Sequence, residues 1–148
     1  MRFSLSGALL ALTTALGTPL PAHADPEATK LVTILTSADP QTQLMSMVLT
    51  MHSIKQGASG YVLLCGPAGD LALKDPPASA LAPQNPKGMS PQVLMQNIMA
   101  KGGQVEVCAI YLPNKGVAPD ALLNGVGLAK PRPMAARLLA DDTRIMSF

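Results

Sequence analysis

Lys30-Leu-Val-Thr-Ile-Leu-Thr36, followed at once by Ser37-Ala-Asp-Pro40, decides how the rest of this chain folds. The run is β-branched or apolar almost throughout, the pattern of a strand covered on both faces. Asp39 offers an N-cap and Pro40 a first helical residue. From Gln41 to Gln56 the spacing predicts a helix. Leu44, Met47, Val48, Met51 and Ile54 share one face, expected to be the core face, and Gln43, Ser46, Thr50 and Ser53 share the opposite one. Lys55 suits the last turn and Gly57 the cap.

The same strand-to-helix pattern then repeats. Tyr61-Val-Leu-Leu-Cys65 is a second buried strand, stopped by Gly66-Pro67. A short apolar turn, Asp70–Lys74, leads into Asp75–Met89, where Pro76, Pro77, Pro83 and Pro86 predict a surface loop with little regular structure. Ser90-Pro91 repeats the cap-plus-proline signal, and Val93–Lys101 reads as a helix with Leu94, Met95, Ile98 and Met99 inward, ended by Gly102-Gly103. Val105–Leu112 is a third strand, closed by Pro113-Asn114. Beyond it, Ala118–Leu123 reads as a short helix, Val126–Ala129 as a short strand, Pro133–Ala140 as a helix and Thr143–Phe148 as a final strand. Alternation of this kind calls for an α/β domain, a parallel sheet with helices on both faces.

The whole chain has 148 residues, 14% of them charged, a net charge of +2 and a mean hydropathy of +0.27. So small a charge, with no Lys/Arg run, gives no footprint for a nucleic-acid partner. Part of the positive hydropathy belongs to residues 1–24, which read as a secretory signal. Arg2 supplies the basic start, Leu5 to Leu16 the apolar stretch, and Ala22-His23-Ala24 the cleavage pattern. The expected product is a single domain, 25–148, exported to the periplasm. It lacks any second apolar segment of about 20 residues, so no stable membrane insertion is expected.

Both cysteines lie in that domain. In open parallel sheets, sites form beyond the carboxyl ends of the strands. Cys65 falls at the end of the second predicted strand and Cys108 near the end of the third. Neighbouring strands run about 4.8 Å apart, within the Cα separation that a disulfide tolerates. An oxidising compartment would permit the pairing, and a closed loop of this length would add about 4 kcal/mol in the chain-entropy account. Three readings stay open: a bridge, a redox pair, or two independent thiols. A reactive cysteine also needs a lowered pKa, for which Lys115 and the helix expected near Ala118 are candidates.

Other chemistry is sparse. Signal removal takes His23 and leaves His52, on the apolar side of its helix near Met45 and Val48, where a core or interface role is expected. There is no C-x-x-C and no His/Cys/carboxylate cluster of metal-ligand spacing. Gly66-Pro-Ala-Gly-Asp70 follows a strand but lacks a dinucleotide fingerprint and reads as a turn. Met45, Met47 and Met51 precede His52, and thioethers select Cu(I). Core packing competes with that reading, because methionine fills irregular interiors.

Thr33-Ile-Leu-Thr-Ser-Ala-Asp-Pro-Gln41, Gly88-Met-Ser-Pro91 and Gly103-Gln-Val-Glu-Val-Cys-Ala-Ile-Tyr-Leu-Pro113, taken in order, resemble the DsrE/DsrF-like family, and within it the exported, signal-bearing branch. The resemblance spans about residues 28–148. It implies a three-layer α/β/α sandwich with a mostly parallel five-stranded sheet, often assembled into homo-oligomers. It also implies a sulfur-relay activity in which Cys108 matches the persulfide-bearing cysteine. No cofactor is expected. The leading expectation is a periplasmic thiol protein that binds or transfers sulfane sulfur, or exchanges disulfide, through Cys108, with Cys65 as candidate resolving partner. Its partners would be a thiol protein or small sulfur compound acting as donor or acceptor. Two alternatives are a binding or oligomerisation module with a structural Cys65–Cys108 disulfide and, more weakly, Cu(I) binding by the Met45–His52 segment.

Overall fold

A computed structural model describes residues 29–148; the expected signal, 1–24, lies outside them. Five strands form one sheet: β1 (Lys30–Leu35), β2 (Ser59–Leu64), β3 (Gln104–Cys108), β4 (Gly127–Ala129) and β5 (Thr143–Ser147). Their spatial order is β4-β3-β2-β1-β5, and every neighbouring pair is parallel. Parallel neighbours need crossovers. The helices that supply them are α1 (Pro40–Lys55), α2 (Ala78–Leu81), α3 (Pro91–Ala100), α4 (Tyr111–Lys115) and α5 (Pro131–Leu138). The expected three-layer α/β/α sandwich is what forms.

Local chemistry explains where the helices start. Asp39 accepts a hydrogen bond from the Thr42 amide at 2.7 Å, and Ser90 caps α3 through Val93. Pro40, Pro91 and Pro131 occupy first turns, where a missing N–H costs nothing.

Alternation along the strands divides the core. Leu35, Val62, Leu64, Val105 and Val107 join Met47, Met95 and Ile98 of α1 and α3 in one cluster. Val32, Tyr61, Leu63 and Ala129 meet Met134 of α5 in a second, with Ile34, Cys65, Cys108 and Leu138 at its margin.

Several expectations are corrected. First, α1 is rotated relative to the predicted face. Gln43, Ser46, Met47, Thr50 and Met51 are its buried residues, while Leu44, Val48 and Ile54 are only partly buried. The polar ones can go inside because their bonds are made locally: Ser46 donates to the Gln43 carbonyl and Thr50 to the Ser46 carbonyl, both at 2.8 Å. Second, β3 stops at Cys108, four residues before the predicted end at Leu112. Tyr111 and Leu112 instead open α4, and Pro113 sits in its first turn rather than closing a strand. Third, the loop at 75–89 is partly ordered. It contains α2, with Ala80 buried, and an antiparallel bridge between Gln84 and Met89.

The predicted helix at 118–123 is a single 3-10 turn, Pro119–Ala121. Among the described residues, no helix is long and apolar enough to cross a membrane.

Candidate functional site

β2 and β3 run side by side in a register that places Leu64 beside Val107. The next step along both strands brings Cys65 against Cys108, and the two are joined in a disulfide with Cα atoms 5.1 Å apart. The side chains lie on the α5 face, both partly buried at the edge of its core cluster. Both thiols predicted to lie at the carboxyl edge of the sheet are therefore brought together there, and the pairing left open in the sequence is the one present.

Beyond each cysteine the chain turns into short helical segments that hold one another. Gly66 follows Cys65 with φ of 54°, a left-handed conformation that glycine adopts without a Cβ penalty, and opens the 3-10 helix Gly66–Ala72. On the other side, α4 presents Tyr111. A Cβ on Gly69 would fall 2.4 Å from the Tyr111 ring, so only glycine permits this approach. The Tyr111 hydroxyl donates to Asp70 at 2.6 Å, and the Lys115 ammonium reaches the same carboxylate at 2.7 Å. An antiparallel bridge, Leu73 with Leu122, continues the clasp.

Asp70 is the hub of this cluster. Burial alone would raise its pKa, but the hydrogen bonds from Lys115 and Tyr111 outweigh burial and hold the carboxyl below the usual range. Burial and the adjacent Asp70 push the Tyr111 phenol above its ordinary value. Lys115, a sequence candidate for activating Cys108, is thus committed to Asp70. The segment Gly66–Asp70, expected to be a plain turn, is a helical segment that carries the hub.

A second polar group lies below the cysteines on the same sheet face. Tyr61 donates to the Glu106 carboxylate, and the Arg137 guanidinium of α5 sits 4.2 Å from the Tyr61 ring centroid. Burial, then Glu106, raises the Tyr61 phenol. Sequence reasoning missed both clusters. The available signal was spacing: Glu106 precedes Cys108 by two residues, on one strand face.

The methionine segment divides. Met47 is fully buried in the core, whereas Met45, Met51 and His52 line a cleft beside α1, on the opposite face of the sheet from the sulfurs. His52 is exposed rather than a core histidine. Among the described residues, no group of three or more His, Cys, Asp or Glu side chains is placed to hold a metal.

No family model matches the chain, and no curated protein matches it. Solved structures do. The ychN protein from E. coli superposes with a TM-score of 0.61 at 17% identity, covering 82% of this chain and 99% of its own. MTH1491 from Methanobacterium thermoautotrophicum, described as a protein of unknown function, superposes with a TM-score of 0.58 at 12% identity, covering 80% of this chain and 98% of its own. The likeness gives the chain a DsrE-like fold.

Proposed function

We propose that this chain is an exported thiol protein that accepts and passes on sulfane sulfur through Cys108, with Cys65 as resolving thiol. The observation that carries the reading is the Cys65–Cys108 pair at the carboxyl edge of a DsrE-like sheet. The clasp around Asp70 supports it, because the two cysteine-bearing loops are held together by contacts that do not need the disulfide.

The chemistry begins with reduction of the bridge by a partner dithiol, which leaves as its own disulfide. The Cys108 thiolate then attacks the outer sulfur of a donor persulfide. A sulfur–sulfur bond forms on Cys108, the donor's bond breaks, and the donor departs as a thiolate. From there an acceptor thiolate takes the outer sulfur and Cys108 is regenerated. Alternatively, Cys65 attacks the inner Cys108 sulfur, expelling sulfide and restoring the bridge; two thiols are oxidised as one sulfane sulfur is reduced. A periplasmic location and assembly of copies belong to the same proposal. Exposed Ile110 near Cys108, and Leu139 and Ile145 elsewhere, offer apolar surface for a partner or second copy.

Intact mass after a polysulfide is added to the reduced protein tests the assignment. One added sulfur is expected in wild type, none in Cys108→Ser, and a longer-lived adduct in Cys65→Ser. No adduct in wild type, or an adduct surviving in Cys108→Ser, overturns it. The completed bridge also favours a second reading, a structural disulfide in a binding module. A reduction potential below about −300 mV, with no thiols released by mild dithiol, selects that one.

A further inference from the structure

The rotation of α1 has a chemical consequence on the face of the molecule away from the cysteines. With Ser46 and Thr50 turned to the sheet, the apolar stripe of the helix lines a cleft of about 580 Å³. That volume falls within the range of about 300–1,000 Å³ usual for small-molecule sites. One wall is α1 and the other is the Gln84–Met89 loop with the start of α3. Leu44, Val48, Met51, Met89 and Leu94 supply the apolar lining, and Met51 and Leu94 are each 8% exposed. Among the described residues the apolar part of the lining is aliphatic and thioether, with no Phe, Tyr or Trp, which suits a flexible chain better than a flat ring system.

The mouth has one sign of charge. Lys55 and Lys87 are exposed around it, and among the described residues its lining contains no Asp or Glu. The ion pairs among the described residues are Lys30–Asp142 and Lys115–Asp70, so neither Lys55 nor Lys87 spends its charge on one. An apolar trough with cations at its rim complements a molecule with an aliphatic tail and an anionic head.

We propose that this cleft binds one free, monomeric aliphatic carboxylate of medium chain length. The tail lies against Leu44, Val48 and Met51, and the carboxylate meets the ammonium groups of Lys55 and Lys87. The site is independent of the sulfur chemistry: it lies on the other face of the sheet and uses neither cysteine.

Calorimetric titration of the full chain with decanoate, below its micelle concentration, tests the proposal. Saturable one-to-one binding is expected, with octanoate about tenfold weaker for the loss of two buried methylenes. Lys55→Gln/Lys87→Gln is expected to weaken decanoate about fivefold. Met45→Glu, at a position 52% exposed, places an anion in the cleft without touching the core and is expected to weaken decanoate further. Both variants change exposed side chains, so the fold survives them. The proposal is overturned by absence of saturable decanoate binding, by equal binding of decyltrimethylammonium, or by wild-type affinity in both variants. Binding seen only to decanoate-containing vesicles would make the ligand a lipid surface and also overturn it. So would a dimer in sedimentation that Met45→Glu dissociates and decanoate does not, which would make the occupant a second copy.

Discussion

The two faces of the sheet are covered to different depths. On one, α1, α3, the 3-10 segment after Cys65 and α4 bury Leu35, Leu64, Met47, Met95 and Ile98 to zero or near-zero exposure. On the other, α5 is, among the described residues, the helix that covers Val32, Tyr61 and Leu63, and β1 and β5 present Ile34 and a half-exposed Ile145 there. The cysteine side chains project onto this thinner side, while the loops that carry them are anchored on the thicker one. A dense face holds the backbone, and on the sparser face the two sulfurs of the bridge are only partly buried.

The largest test of that contrast is in the core. Leu64 and Leu63 are adjacent on β2 and point to opposite faces. Leu64→Ala is expected to cost about 3 kcal/mol, because its close-packed surroundings cannot collapse into the cavity. Leu63→Ala should cost nearer about 2 kcal/mol, where a single covering helix can settle. Urea denaturation of both variants gives the difference, and equal costs would break the contrast.

Asp70 supplies the next test, at the anchor of the cysteine loops. Asp70→Asn is expected to cost about 1–2 kcal/mol at neutral pH, discounted because its Lys115 partner is 41% exposed. The folded-state pKa lies below that of the unfolded chain, so the stabilisation is fully present above the unfolded value of about 3.9. It is lost as pH falls through the lower, folded value. Stability curves of wild type and Asp70→Asn should therefore converge in acid. A gap that stays constant from neutral to acid pH would show that the cluster acts through packing rather than charge.

Much of this architecture could be read from the chain. The β-branched run at Lys30, and the Asp39-Pro40 and Ser90-Pro91 signals, mark elements whose local chemistry agrees with their final place. The position of both cysteines at the sheet edge followed from the strand pattern. What failed was subtler. The run Val105–Leu112, apolar apart from Glu106, contains both a strand end and a helix start, which hydrophobicity alone does not separate. Asp70 and Tyr111 meet only because β2 and β3 are neighbours, a tertiary fact no local window contains. For α1, periodicity placed Met47 and Met51 correctly in the core but missed the rotation that also buries Ser46 and Thr50, because serines and threonines that bond their own helix lose most of the penalty for burial.

That polar seam beneath α1 offers the smallest test. Thr33 of β1 and Thr50 of α1 are fully buried, with their hydroxyl oxygens 2.6 Å apart. Thr50 gives its proton to the Ser46 carbonyl, so Thr33 must be the donor between the two threonines. Thr33→Val is then expected to cost about 1 kcal/mol, since Thr50 keeps its own bond. Thr50→Val should cost more, because it strands the buried Thr33 hydroxyl without an acceptor. Valine at both positions removes that stranded group while preserving shape, so the double variant should be more stable than Thr50→Val alone. Thermal denaturation of the three variants measures the coupling. Strict additivity would mean that the seam is held by close packing of small side chains, and that the hydrogen bond does not select which face of α1 meets the sheet.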